Sequence, residues 1–152
     1  MSRILSLAAV LLLLFTATAC SAKKQPDQTA IRSKNIMLVL RELSASYEKK
    51  DHSAFMADVS ASFRDREAFA KSLTVVFAKY GTIQFNIQYT KMLIMIEEKG
   101  QIKTSFNWEG EWLAAGKAPQ KNSGRVTFVL DPGNFKLQSI DGKNPFIPAE
   151  KQ

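Results

Sequence analysis

The apolar residues of this chain change period once, at Gly81, and that change sets the architecture. Upstream, Ile36, Leu40, Leu43 and Tyr47 step by 4, 3 and 4, which places them on one face of a helix. Phe69, Leu73, Val76 and Tyr80 repeat the same steps. Downstream, Ile83, Phe85, Ile87 and Tyr89 alternate with Gln84, Asn86 and Gln88, the pattern of a half-buried strand. Helices first and strands afterwards predict an α+β domain rather than alternating β and α units.

The boundaries follow from local chemistry. The first helix is predicted from Ala30, with Met37 and Val39 widening its apolar face and Lys49-Lys50-Asp51 ending it. Asp51 or Ser53 can cap a short second helix through Ala54, Phe55 and Met56, and Val59 and Phe63 continue its apolar side. Asp65 is the expected N-cap of a third helix, with Glu67 in its first turn and Gly81 as its stop. In the first strand the alternation slips after Tyr89, because Met92, Ile94 and Ile96 fall on even numbers. A β-bulge near Thr90-Lys91 absorbs the slip; the alternative is that both faces are covered beyond it. Glu98-Lys99-Gly100-Gln101 reads as a hairpin turn. Ile102, Phe106, Trp108 and Trp112 share one face of the next strand, and Lys103, Asn107, Glu109 and Glu111 share the other. Residues 115–123 read as a loop, Val126, Phe128 and Leu130 as a third strand, residues 131–134 as a turn, and residues 135–140 as a fourth strand. The sum is three N-terminal helices packed on a curved, four-stranded antiparallel sheet, a cone-like shape that bulges can bend.

The first twenty residues carry an address. Arg3 is followed by an apolar run from Ile4 to Phe15, broken only by Ser6, and then by the small residues Thr16-Ala17-Thr18-Ala19. Charged head, apolar middle and small-residue cleavage zone make a secretory signal peptide. The uncharged stretch is short for a transmembrane helix, which needs ~20 residues. Cys20, the single cysteine, follows directly. The segment Ala17-Thr18-Ala19-Cys20 resembles the lipobox of bacterial lipoproteins, with Ala17 where that pattern prefers Leu. The resemblance implies cleavage between Ala19 and Cys20 and acylation of Cys20 with palmitate-type chains. Ordinary cleavage at an Ala-x-Ala site is the alternative. Ser21, rather than Asp, after the cysteine implies the outer membrane, facing the periplasm. The division is therefore residues 1–19 as signal peptide, 20–29 as lipidated cysteine and tether, and 30–152 as a single domain.

Charge adds little. Removing residues 1–19 takes only Arg3 from 21 basic and 14 acidic residues, leaving a net charge of +6. The lysines are scattered, so a nucleic-acid partner is not expected. A solvated face, or attraction to anionic headgroups, is what such a distribution supports.

Two stretches carry a fold resemblance. Residues 58–69 (Asp-Val-Ser-Ala-Ser-Phe-Arg-Asp-Arg-Glu-Ala-Phe) resemble the link from second to third helix in the nuclear-transport-factor-two-like superfamily, the fold of ketosteroid isomerase and scytalone dehydratase. Residues 135–146 (Phe-Lys-Leu-Gln-Ser-Ile-Asp-Gly-Lys-Asn-Pro-Phe) resemble its closing strand, Phe135 standing where members often have Trp. The resemblance covers residues 30–146 and implies a conical α+β domain. It does not fix an activity, because one fold hosts many.

Catalysis inside such a cone needs a base and an oxyanion donor. The inward register offers Phe85, Ile87, Tyr89, Trp108, Trp112 and Phe128 as possible cavity lining, and only Tyr89 among them is a donor. Glu109 and Glu111 fall on the opposite face. Asp58 or Asp51 is the carboxylate that the helices can still contribute to the cone. His52 is the single histidine, at a helix start where capping or exposure is the simpler role. One histidine and one cysteine assemble no zinc ligand set, and no metal or cofactor is expected. Trp108 and Trp112 read as core first and as pocket second. The function these residues support is a membrane-anchored, non-catalytic envelope domain that binds an apolar ligand or an envelope protein. An isomerase- or dehydratase-like enzyme and a purely structural component are the alternatives. Inward ionisable groups favour the enzyme, an apolar cavity the binder, and a filled cone the structural role.

Overall fold

The computed structural model describes residues 28–97 and 100–148. The expectations on the signal peptide, Cys20, most of the tether and the tip of the first hairpin lie outside those residues. Helix α1 spans Gln28–Glu48, α2 His52–Ala57 and α3 Arg66–Lys79. Strands β1 (Thr82–Ile96), β2 (Ile102–Leu113), β3 (Gln120–Leu130) and β4 (Leu137–Gly142) follow as an antiparallel meander in the order β1-β2-β3-β4. This is the expected α+β class.

Each helix forms for the reason its spacing suggests. Ile36, Leu40, Leu43 and Tyr47 of α1 are fully buried, while Met37 is 37% exposed and Val39 packs at the margin of the core. The helix already includes Gln28 to Ala30, ahead of the first apolar step, where no residue breaks a helix. Lys50, in the left-handed region at φ 57°, turns the chain away, and the Asp51 carboxylate accepts the Ala54 N–H at 2.9 Å to cap α2. Asp65 does not cap α3 with its side chain. It stands at the N-cap position with φ 55°, a left-handed backbone that turns its carboxylate away from the first N–H groups. Helix α3 ends at Lys79, before Gly81. Tyr80 is already extended, and the Gly81 N–H donates to the Leu113 carbonyl, so Gly81 opens the sheet rather than capping the helix.

The sheet departs from expectation at its polar ends. Residues 120–123 belong to β3, pairing with Trp112 back to Glu109, although their sequence shows no apolar alternation. Pairing with β2 recruits them, helped by the Tyr80 hydroxyl, which donates to Gln120 at 2.7 Å. Strand β4 begins at Leu137, not Phe135. The Asp131 carboxylate accepts the N–H groups of Gly133 and Asn134, Phe135 sits at φ 60°, and the turn consumes two residues that otherwise read as strand. Those hydrogen bonds hold the Asp131 carboxyl below its usual range.

The register of β1 on β2 shifts between Gln88 and Leu93, where β1 carries three more residues than β2. An odd number of extra residues exchanges the faces, as the slip at Thr90-Lys91 requires. Ile83, Phe85 and Ile87 are buried before the shift, and Met92 and Ile94 pack against the core after it. Tyr89, expected inward, falls inside the irregular stretch and is 37% exposed.

Helix α1 closes the near half of the β1 edge. Glu48 accepts the Phe85 N–H at 2.7 Å, and Ser44 donates to the Phe85 carbonyl at 3.3 Å. These bonds satisfy edge groups that water or another chain otherwise takes. The Ser60 N–H donates to the Leu137 carbonyl at 2.8 Å, and the Leu137 N–H to Asp58 at 2.9 Å, which ties the link between α2 and α3 to β4.

Candidate functional site

The interior of the cone is aromatic and occupied. Phe85 and Ile87 from β1, Trp108 and Trp112 from β2 and Phe128 from β3, the expected lining, are all buried. They meet Tyr47 of α1 and Phe146 of the segment after β4, both fully buried. Phe146 sits among the rings: its centroid lies 4.8 Å from Phe55, 5.0 Å from Tyr47, 5.4 Å from Phe85 and 5.7 Å from Phe128. The edge-on contacts with Tyr47 and Phe55 are the arrangement that ring quadrupoles favour.

A hydrogen-bonded relay runs through this packing. Trp112 Nε1–H donates to the Tyr47 hydroxyl at 2.8 Å, and the Tyr47 hydroxyl donates to the Phe146 carbonyl at 2.8 Å. The relay joins β2, α1 and the C-terminal segment. Burial pushes the Tyr47 hydroxyl well above its ordinary range, so it remains a donor. The Trp112 ring lies over Gly110, where a Cβ would stand 2.3 Å from Cη2. Among the described residues, three buried side-chain polar atoms have no hydrogen-bond partner: Trp108 Nε1 and Thr104 Oγ1 on β2, and Arg66 Nε at the start of α3.

The residues singled out as possible catalysts do not converge. Tyr89 lies outside the filled interior, where burial pushes its hydroxyl up and the Arg41 guanidinium pulls it back. Asp58 caps the end of α2 and lines a shallow depression with Glu42, Ala45, Lys49 and Asp51 on the helical side. His52 Nε2 sits 3.2 Å from the Ala70 carbonyl and links α2 to α3. Glu109 and Glu111 stand on the outer face of β2, as expected. Among the described residues, no three His, Cys, Asp or Glu side chains are grouped to hold a metal ion.

Asp58 carries a testable electrostatic consequence. Burial raises its pKa first, and Glu42 adds to the rise while Lys136 opposes it. A carboxyl whose pKa is higher folded than unfolded costs stability above that folded value, and the cost vanishes as pH falls below the unfolded one. Asp58→Asn is therefore expected to raise the urea midpoint at neutral pH and leave it unchanged in the acid limb. A lower midpoint at neutral pH contradicts this placement.

A polar groove of about 740 Å³ runs along the β1-β2-β3 surface. Glu48, Gln84, Asn86, Glu109, Glu111 and Lys121 line it. Glu111 pairs with Lys121 at 3.0 Å, and Glu109 accepts from Gln88 at 2.9 Å, so the groove presents a partnered, hydrophilic wall. The sequence reading missed this groove, as well as Phe146 and the Tyr47 relay. Gly110 was a visible signal, since a glycine inside a strand marks a bulge or a close approach.

Solved structures share this architecture. A scytalone-dehydratase candidate from Novosphingobium aromaticivorans matches with a TM-score of 0.66 at 9% identity, over 74% of this chain and 83% of that one. A nuclear transport factor 2-like superfamily protein from Salmonella enterica serovar Typhimurium matches with 0.64 at 12% identity, over 77% and 93%. The BvnE pinacolase from Penicillium brevicompactum matches with 0.57 at 8% identity, over 71% and 84%. No protein-family model and no curated protein sequence matches the chain. The fold is that of nuclear-transport-factor-two-like proteins.

Proposed function

We propose that this chain is a lipid-anchored, non-catalytic domain of the bacterial envelope that binds an envelope protein through its outer surface. In this reading the signal peptide is removed between Ala19 and Cys20 and Cys20 is acylated. The domain then faces the periplasm from the outer membrane. The observation behind the non-catalytic part is the occupied cone: the Phe146 ring packs among Phe55, Tyr47, Phe85 and Phe128, and its carbonyl accepts from the Tyr47 hydroxyl. An apolar ligand in the interior has to displace these rings; a protein partner on the surface does not. Each acyl CH₂ buried in the bilayer contributes ~0.8 kcal/mol, so two or three chains on Cys20 make a lasting anchor.

The anchor has a direct test. Mass spectrometry of the mature protein is expected to show an N-terminus at Cys20 with added acyl mass. Cys20→Ala is expected to block processing or move the protein out of the membrane fraction. A mature N-terminus elsewhere, with an unmodified Cys20 thiol, overturns the anchor.

A second reading keeps a small-molecule site in the cone. It draws on the buried, unpartnered Trp108 Nε1 and Thr104 Oγ1. An orphaned buried group costs ~1–3 kcal/mol, which a polar ligand relieves. Turnover of an enolisable ketone by the purified chain, lost in Trp108→Phe and Thr104→Val, would establish that reading over the proposed one. Absence of turnover, with an envelope protein captured by crosslinkers placed in the polar groove, supports the proposal.

A further inference from the structure

Seven of the nine exposed large apolar side chains among the described residues lie on two segments. Ile31, Met37 and Leu38 belong to α1, and Tyr89, Leu93, Met95 and Ile96 to the distal half of β1, each 37–49% exposed. Contacts between the two elements put those segments at one end of the molecule. Glu48 and Ser44 bond to Phe85, and the Arg41 charge acts on Tyr89. Helix α1 therefore runs antiparallel to β1, with its N-terminal half toward the distal half of the strand. Glu48, Ser44 and Arg41 step by 4 and 3, and Met37 is next on that stripe. Beside it, Ile31, Lys34, Leu38 and Arg41 step by 3, 4 and 3, on the side opposite the buried Ile36, Leu40 and Leu43. Further along, the same side carries Glu42, Ala45 and Lys49, so the apolar and basic mixture is confined to the N-terminal half.

Charge and chain length select what covers this end. From Gln28 to Arg41 the helix carries Arg32, Lys34 and Arg41 and no acidic residue, and Lys23 and Lys24 precede it. On β1, Lys91 lies among the apolar residues, and Glu97 is already paired with Lys103 at 2.6 Å. Apolar tips interleaved with basic ones suit the boundary of a bilayer. The apolar groups enter it by ~5–10 Å, while Lys and Arg lay their stems along it and reach anionic phosphates with their charges. The centre of a protein interface is instead depleted of charged residues. The chain ahead of the helix points the same way. Seven residues separate Cys20 from Gln28, a reach of about 25 Å when extended, and they join the first turn of α1, beside Ile31. Glu48 stands about 30 Å further along the helix axis and lines the polar groove.

We propose, resting on the reading of Cys20 as a lipid anchor, that this end of the domain docks on an anionic phospholipid surface. The contacting segments are residues 31–41 of α1 and 89–96 of β1. An anchor alone leaves a domain free to turn on its tether. Docking fixes its orientation, with the membrane at the start of α1 and the polar groove at the far end, open to a partner.

The experiment reads which residues touch lipid. The mature chain, purified in a mild detergent, is reconstituted into vesicles of phosphatidylethanolamine and phosphatidylglycerol that carry a diazirine near the glycerol end of one acyl chain. Carbene adducts are mapped by peptide mass spectrometry. Adducts are expected in residues 31–41 and 89–96, at least about tenfold above those in residues 109–123 at the groove. Replacing the anionic lipid with phosphatidylcholine is expected to reduce them several-fold. Leu38→Glu with Leu93→Glu is expected to reduce them about tenfold in both segments. Because both side chains are exposed, that variant is expected to keep its urea midpoint and to stay in the vesicle fraction through its acyl chains. Adducts confined to residues 20–27, with an acylated Cys20, overturn the docking and leave the anchor. Adducts in the two segments with an unmodified Cys20 overturn the anchor and leave the docking. An unmodified Cys20 with no adducts overturns both. Adducts spread evenly over the domain, or unchanged in the double variant, overturn the docking. So does a face that lipid never labels but that crosslinks from position 38 to an envelope protein in cells, since its occupant is then a protein.

Discussion

Trp112→Ala is expected to lower the unfolding free energy by about 3–5 kcal/mol, measured by urea denaturation of the purified chain. The ring is fully buried and stands edge-on to Trp108 at 6.4 Å. Its removal opens a void beside Gly110, which has no side chain to move into it. The lost hydrogen bond is the smaller part. Tyr47 no longer accepts from Trp112 but still donates to Phe146, so its hydroxyl is not orphaned. Trp112→Phe separates the two effects. It keeps much of the ring and drops the N–H, and its expected cost is nearer ~1 kcal/mol plus a small packing loss. Domains of this kind have ~5–15 kcal/mol of stability in all, so Trp112→Ala is expected to leave a measurable unfolded fraction on mild warming. A loss below ~1 kcal/mol for Trp112→Ala would mean the ring is not held by its surroundings.

How far the sequence anticipates this structure depends on whether a residue's environment is local. Ile36, Leu40, Leu43 and Tyr47 are readable because a helix repeats its buried face every three or four residues. Ile83, Phe85 and Ile87 are readable because one face of β1 is buried and its period is two. Tyr89 is misplaced by the same rule, since the three extra residues begin just where the alternation still looks intact. Gln120 to Ser123 give no strand signal, because their place is fixed by a partner strand and not by a buried face. Asp65 has the residue type of a cap and the wrong backbone for one.

The interior separates in the same way. Trp108, Trp112 and Phe128 are expected inside and are found there. What fills the space between them comes from far along the chain: Tyr47 lies 65 residues from Trp112 and 99 from Phe146. Phe146 follows Pro145 in an irregular segment with no period to reveal it. The sequence therefore indicates a ring of aromatic lining, and only the tertiary structure shows that the ring is closed by residues of its own chain.

Gly110→Ala is the second large effect expected, and its cause is the reverse of a cavity. A Cβ at this position would stand 2.3 Å from Trp112 Cη2 and 2.8 Å from Cζ2 and Cζ3. Atoms do not approach so closely, so either the ring or the strand has to move. The ring is not a flexible side-chain end. It is fully buried, fixed by its N–H on Tyr47 and bounded by Trp108. Overpacking of a fixed core costs about 1–3 kcal/mol and occasionally more. The backbone itself is no obstacle, because Gly110 is not among the glycines with positive φ, and alanine fits the strand conformation. The penalty should therefore depend chiefly on Trp112, which supplies the three nearest atoms. In Gly110→Ala with Trp112→Leu the methyl group enters space that the indole has vacated. The double variant is expected to be more stable than the sum of the single losses predicts, with a coupling on the order of 1–2 kcal/mol for residues in direct contact. Strict additivity in urea denaturation would show that Gly110 is constrained by something other than the Trp112 ring.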